Sequence, residues 1–332
     1  MLLLPLALGP FLANWTLALP VVESRRSQAY EKMAGALISG KSIWLNADLR
    51  PLKAAFIRQM PSRRSVLVLG SSRAATIASD WFPAGDAWNS AIPGGGIDDA
   101  AALFQVCVEA QRIPGTVILE LFPGLMREPE TGGSREYGGY WDRALNRYGM
   151  QRPKRLSQPA SFSRSAMFSG LQAAFGIFFW KSGEQRPYGI QVLPDGRLSS
   201  AAIVSLDLAV MPPRELEWRL QSRPDQFASI LFRRFLEDLQ SRGIRVVVFL
   251  APVNPLVWEF FSKRGGYRES WIRNELGPRG IQIAGSYSPL PFNAKPTDFL
   301  DAVHPGPALV RRILADSNVI ASPITTTRMP RD

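Results

Sequence analysis

With 332 residues, 46% of them hydrophobic and 20% charged, the chain has a globular composition and room for one large domain with an insertion. Its 39 basic and 28 acidic residues leave a net charge of +11, which favours anionic partners. The arginines are scattered and accompany no recognised nucleic-acid-binding motif, so no nucleic-acid role is expected. A single cysteine, Cys107, excludes an internal disulfide and a thiolate cluster, and with a single histidine neither a metal site nor a cofactor is expected.

Met1 to Val22 carries no charge and is long enough to cross a hydrocarbon core of about 30 Å. Pro5, Pro10, Pro20 and Asn14 interrupt it, and no basic residue precedes it as in a secretory signal. Residues 1–22 read as a membrane anchor or signal-like segment, and 23–60 as a juxtamembrane helical segment. Arg25, Arg26 and Lys32 would keep the remainder cytoplasmic under the positive-inside rule. A true start further upstream would reverse that, so the orientation stays open.

Next come apolar runs alternating with helical spacing. Ser65–Leu69 predicts a strand ending at Gly70, with a helical stretch near Arg73–Ser79; Ala87–Asn89 is a weaker strand. Ile97–Arg112 has helical periodicity, with Asp98 and Asp99 suited to its amino-terminal end, and Thr116–Leu121 predicts another strand. Later, Asp225–Arg242 predicts an amphipathic helix stopped by Gly243, Ile244–Leu250 the strongest strand, and Asn254–Glu275 a helix. Ile281–Ala284 predicts a short strand and Pro307–Ala315 the closing helix. This alternation predicts an α/β fold with three layers and a mainly parallel sheet over 61–121 and 224–318, followed by a tail at 319–332.

Between 122 and 223 the alternation stops. A hundred residues is long for a plain loop, so the stretch reads as an inserted lid or subdomain. Its aromatic residues Tyr137, Tyr140, Trp141 and Tyr148 suit a core better than a sugar-stacking surface. Ala166–Trp180 is a run of fifteen almost uncharged residues that fits a buried helix or a membrane-surface contact.

His304 is the sole histidine, on a loop with Asp301 three residues before it. An acid at that spacing can orient an imidazole and stabilise its charged form, as a general base for a serine nucleophile requires; a loop-capping pair has the same spacing. Gly70-Ser71-Ser72-Arg73 lies where a strand turns toward a predicted helix, the surroundings of a nucleophile or of an ordinary serine cap. Asn89-Ser90-Ala91-Ile92-Pro93-Gly94-Gly95-Gly96 supplies flexible backbone and free N–H groups before the next helix.

In that order, a serine turn, a glycine loop and Asp-x-x-His near the carboxyl end, the chain resembles the SGNH (GDSL-like) hydrolase superfamily, in particular its membrane-anchored cell-envelope branch. The resemblance covers roughly 65–121 and 227–314 and implies a flavodoxin-like α/β/α fold with Ser72 as nucleophile, His304 as base and Asp301 as its acid. Backbone N–H groups of Ser72 and Gly94 would form the oxyanion hole, Asn89 is a candidate for substrate contact, and Arg73 is a candidate either for substrate contact or, the favoured reading, for a structural contact with a carboxylate at the sheet end. One block departs: where the family carries Gly-x-Asn-Asp, this chain has Leu119-Glu120-Leu121-Phe122-Pro123-Gly124, and Asn254 is a candidate to replace the absent amide.

The branch includes acetyl esterases and acetyl-transfer proteins. The expected function is therefore a membrane-anchored, extracytoplasmic esterase or O-acyltransferase acting on acyl (acetyl) esters of a glycan. The competing expectation is a catalytically weak binding or scaffold protein that meets polysaccharide-assembly partners.

Overall fold

The computed structural model describes residues 27–45, 47–62, 64–122, 126, 135–151, 190–200, 225–262 and 269–320. Segment 1–22, the run 166–180 and most of the expected tail lie outside them. No helix among the described residues is long and apolar enough to cross a membrane.

Helix α1 covers residues 27–38. Then come β1 (Ile43–Leu45), α2 (Leu49–Gln59), β2 (Val66–Leu69), β3 (Ala87–Asn89), α3 (Ile97–Glu109) and β4 (Thr116–Glu120). The chain continues through α4 (Arg135–Arg147), β5 (Ile190–Val192), α5 (Gln226–Ser241), β6 (Arg245–Leu250), α6 (Pro255–Ser262), α7 (Ser270–Leu276), β7 (Gln282–Gly285) and α8 (Pro307–Asp316). Five strands form one sheet in the order β3-β2-β4-β6-β7, every pairing parallel. Counted within the sheet this is 2-1-3-4-5, a doubly wound order whose direction reverses between β2 and β4. The sheet is flanked by helices, an α/β architecture compatible with the expected three layers.

Local chemistry accounts for these elements. In β6, Val246–Leu250 are all buried, the continuous apolar run that a parallel strand covered on both faces requires. Asp225 caps α5 by accepting from the Ala228 N–H at 3.1 Å, and Ala228, Leu231, Phe232, Phe235, Leu236 and Leu239 form its buried stripe. Pro307 opens α8, where a missing N–H costs nothing.

Two predicted elements differ. The stretch expected to be helical at Arg73–Ser79 is a run of tight turns, with Ala74 N bonded to Ser71 O, Ala75 N to Ser72 O and Ile77 N to Ala74 O. Tertiary partners claim the carbonyls: Asn89 Nδ2 donates to Ala74 O and Ile77 O, and Leu198 N to Ala75 O. The helix expected over Asn254–Glu275 is two, α6 and α7. Within 122–223, α4 carries Tyr137, Tyr140 and Trp141, and these and Tyr148 just past its end are buried in the core, the role expected of these aromatic residues. Tyr137 Oη donates to Asp99 of α3, and Arg143 of α4 pairs with Glu109 of α3 at 2.6 Å.

A second, two-stranded sheet pairs β1 with β5 antiparallel. The turn that follows β5 seats against the body. Asn89 N donates to Asp195 O at 3.0 Å and Ser79 N to Asp195 Oδ2 at 2.9 Å. Lys53, fully buried in α2, donates from Nζ to the carbonyls of Asn89 and Gly196.

Candidate active site

Strand β2 ends at the reversal point of the sheet, where doubly wound folds form their sites at the carboxyl ends of strands. Gly70 follows directly at φ +135°, outside the range that side-chain-bearing residues favour. A Cβ there would stand 2.7 Å from the Glu120 Cβ of the neighbouring strand, so only glycine lets the chain turn here. That turn presents Ser72, which is partly exposed, while Ser71 and Arg73 on either side are buried.

The other half comes from the loop between β7 and α8. It is closed by Leu300 N bonding His304 O at 2.9 Å and Gly306 N bonding Asp298 O at 2.8 Å. The Asp301 carboxylate organises it from inside: Oδ1 accepts the backbone N–H groups of Val303 (2.7 Å) and His304 (2.8 Å). Oδ2 lies 2.6 Å from His304 Nδ1. On the opposite ring edge, His304 Nε2 lies 2.7 Å from Ser72 Oγ.

The fold thus brings residues 232 positions apart into one chain of hydrogen bonds, Asp301 to His304 to Ser72. With an ionised acid at Nδ1, the imidazole keeps its proton there and turns a lone pair toward the Ser72 hydroxyl. Burial of Asp301 works against its charge, but the hydrogen bond and charge of His304 and the two backbone donors outweigh it and hold the carboxyl below its ordinary value. The imidazole is buried, at 3% exposure, while Ser72 stays reachable. The arrangement can transfer a proton from a serine as it attacks an electrophile.

Of the residues expected in the oxyanion hole, the N–H groups of Ser72 and Gly94 donate to none of the described residues. Gly94 is exposed in the loop after β3, which is tied to the serine turn by Ile92 N bonding Gly70 O at 2.9 Å. Asn254 is placed differently. Its Oδ1 caps α6 through the Leu256 N–H, and its Nδ2 faces the carbonyls of Pro296 and Asp301 at 3.5 Å each, the outer limit of a hydrogen bond. It braces the acid's loop.

Of the two candidates for substrate contact, Arg73 takes the structural role that is its favoured reading, and Asn89 is also committed inside the fold. Arg73 is 3% exposed; its Nε donates to Val303 O at 3.1 Å and its Nη2 to the carbonyls of Ala251 and Pro252. Its guanidinium lies over the rings of Phe122 and Tyr287, 4.6 and 5.9 Å from their centroids. Asn89 spends its amide on the turn behind the serine, with Nδ2 on Ala74 O and Ile77 O and Oδ1 on the Ala91 N–H. Buried polar groups must find partners inside the protein, which is why both point inward.

Sequence reasoning passed over Glu120 as a site residue. It ends β4, is fully buried, and accepts at Oε2 from both the N–H (2.9 Å) and the hydroxyl (2.8 Å) of Ser71. Burial raises its pKa, against the opposing charge of Arg73 and the hydrogen bonds from Ser71. A charged residue closing the apolar run Thr116–Leu119 was the available signal, since strands of a covered parallel sheet seldom carry one. Among the described residues no three His, Cys, Asp or Glu side chains are grouped to hold a metal ion. The sequence matches no family model, and no curated protein matches it.

Proposed function

We propose that this chain is a serine-triad esterase or O-acyltransferase of the SGNH type, acting on acyl (acetyl) esters of a cell-envelope polysaccharide. The observation that carries this reading is the continuous line Asp301–His304–Ser72, with contacts of 2.6 and 2.7 Å, at the reversal point of a parallel sheet. In the reaction, Ser72 Oγ bonds to the ester carbonyl carbon while its proton passes to His304 Nε2, and Asp301 balances the imidazolium. The N–H groups of Ser72 and Gly94 are the donors available to the resulting oxyanion. The C–O bond to the leaving alcohol breaks as that oxygen takes the proton from Nε2. Water or a sugar hydroxyl, deprotonated by the same imidazole, then removes the acyl group from Ser72.

A second reading rests on Glu120. The end of β4, where the resembled family places an amide donor, here carries an acceptor. Losing one oxyanion donor costs about 10²–10³ in rate. That favours a weakly catalytic glycan-binding or scaffold protein in polysaccharide assembly.

Reaction of the full-length protein with a fluorophosphonate probe separates the two. The enzyme reading expects covalent labelling that Ser72→Ala and His304→Ala each abolish. A folded protein that resists the probe would favour the binding reading, and glycan-binding measurements would follow.

A further inference from the structure

We infer that Glu120 is a positioning residue for the nucleophile: it holds the Gly70–Ser72 turn in the one geometry that brings Ser72 Oγ onto His304. The inference rests on the serine-triad reading and extends it to a fourth side chain.

The sheet register pairs Leu69 with Leu119, so Gly70 and Glu120 are the next residues of adjacent strands. Absence of a Cβ at Gly70 lets the Glu120 side chain lie against the turn. From there one carboxyl oxygen, Oε2, takes both donors of Ser71, the residue immediately before the nucleophile. Ser71 Oγ also lies 3.3 Å from the Arg73 N–H, the residue immediately after it. Glu120 thereby fixes Ser71 at two atoms and reaches across Ser72 to its other neighbour.

This arrangement is costly as pure architecture. Burying a carboxyl away from water is unfavourable, and the second oxygen, Oε1, has no hydrogen-bond partner among the described residues. A leucine would complete the apolar strand. It would also leave the Ser71 N–H and hydroxyl unpaired and the turn free to relax away from His304. A displacement of about 1 Å at such a contact can cost on the order of 10²-fold in rate.

The single histidine makes this directly measurable, because the imidazole ¹⁵N resonances of the full-length protein belong to His304 alone. Four proteins would be compared: the parent, Ser72→Ala, Glu120→Leu and Glu120→Gln. Glutamine keeps an acceptor oxygen for the two Ser71 donors. Glu120→Leu should give the Nε2 chemical shift of Ser72→Ala, as though the serine had left the ring, and glutamine should restore the parent pattern. Fluorophosphonate labelling should fall about 10²-fold in Glu120→Leu and recover with glutamine.

A folded Glu120→Leu with parent-like His304 resonances would overturn the inference, as would glutamine behaving like leucine in a folded protein. If leucine prevents folding, Ser71→Ala, which removes one of the two donors, must shift the Nε2 resonance; an unshifted signal overturns the inference. An unlabelled parent that still shows the expected resonance pattern would sink the esterase reading and leave the positioning role standing.

Discussion

Arg73 donates a hydrogen bond to the backbone carbonyl of Val303, so the residue after the nucleophile is bonded to the residue before the base. The same guanidinium holds the carbonyls of Ala251 and Pro252, at the end of β6. Ser72 and His304 therefore meet on a frame that fixes the backbone on both sides of their contact. Lysine, with one compact ammonium, cannot reproduce a planar fork that reaches three carbonyls. Arg73→Lys is expected to destabilise the fold by about 3 kcal/mol and to slow fluorophosphonate labelling. Urea unfolding and the labelling rate check this; a variant matching the parent in both would show that the frame is dispensable.

Asp301→Asn tests the direction of the proton. Oδ1 is committed to two backbone N–H groups, so the amide must turn its NH₂ toward His304 Nδ1. The ring would then carry its proton on Nε2, facing Ser72, and could not accept another. Turnover of an ester substrate is expected to fall on the order of 10⁴-fold with the fold intact. The parent carboxyl lies below its ordinary value, 3.8. Its contribution to stability is thus fully present above that value and lost as pH falls through the lower folded value. Melting curves between about pH 2 and 6 should show parent and Asn variant converging at the acid end.

Gly70→Ala puts a methyl group 2.7 Å from Glu120 Cβ at a backbone angle of φ +135°. Neither strand can yield without breaking sheet register, and the new residue is strained even where space exists. A loss of about 2–4 kcal/mol is expected, with labelling abolished. Thermal melting alongside probe reaction would decide; a parent-like melt would mean that the turn has an alternative geometry.

Lys53 gives the protein a pH dependence away from the triad. Burial, only partly opposed by the charge of Asp195, draws its ammonium down from 10.5 to about 7. Between those values the unfolded chain binds the proton more tightly, so this group makes stability rise with pH, by up to about 1.4 kcal/mol per unit. Below about 7 both states are protonated and its slope vanishes. Unfolding midpoints of the parent and Lys53→Met at pH 7 and pH 9 should diverge by that slope, and parallel midpoints would show Lys53 to be neutral or ionised in both states.

Short apolar runs bounded by turn residues located the sheet. Ile244–Leu250, Thr116–Leu121 and Ser65–Leu69 read as buried parallel strands because they are short, mostly apolar runs rich in β-branched residues, and each is a strand within a residue of its expected end. The aspartate and histidine were legible too, since a three-residue spacing on one loop is a local property. What the sequence could not show depends on partners distant along the chain. The turns after Ser72 are not a helix because Asn89 and Leu198 take the carbonyls that a helix would use. The motif leaves Arg73 open between substrate and structure and offers Asn89 for substrate, and only the fold shows which backbone carbonyls each buried side chain holds. Glu120 acquires its place only when β4 lies beside β2 and Gly70 leaves a Cβ-sized gap for it. Hydrophobic spacing set which segments are strands and helices, whereas a hydrogen-bond partner is fixed only when the sheet order puts donor and acceptor within 3 Å.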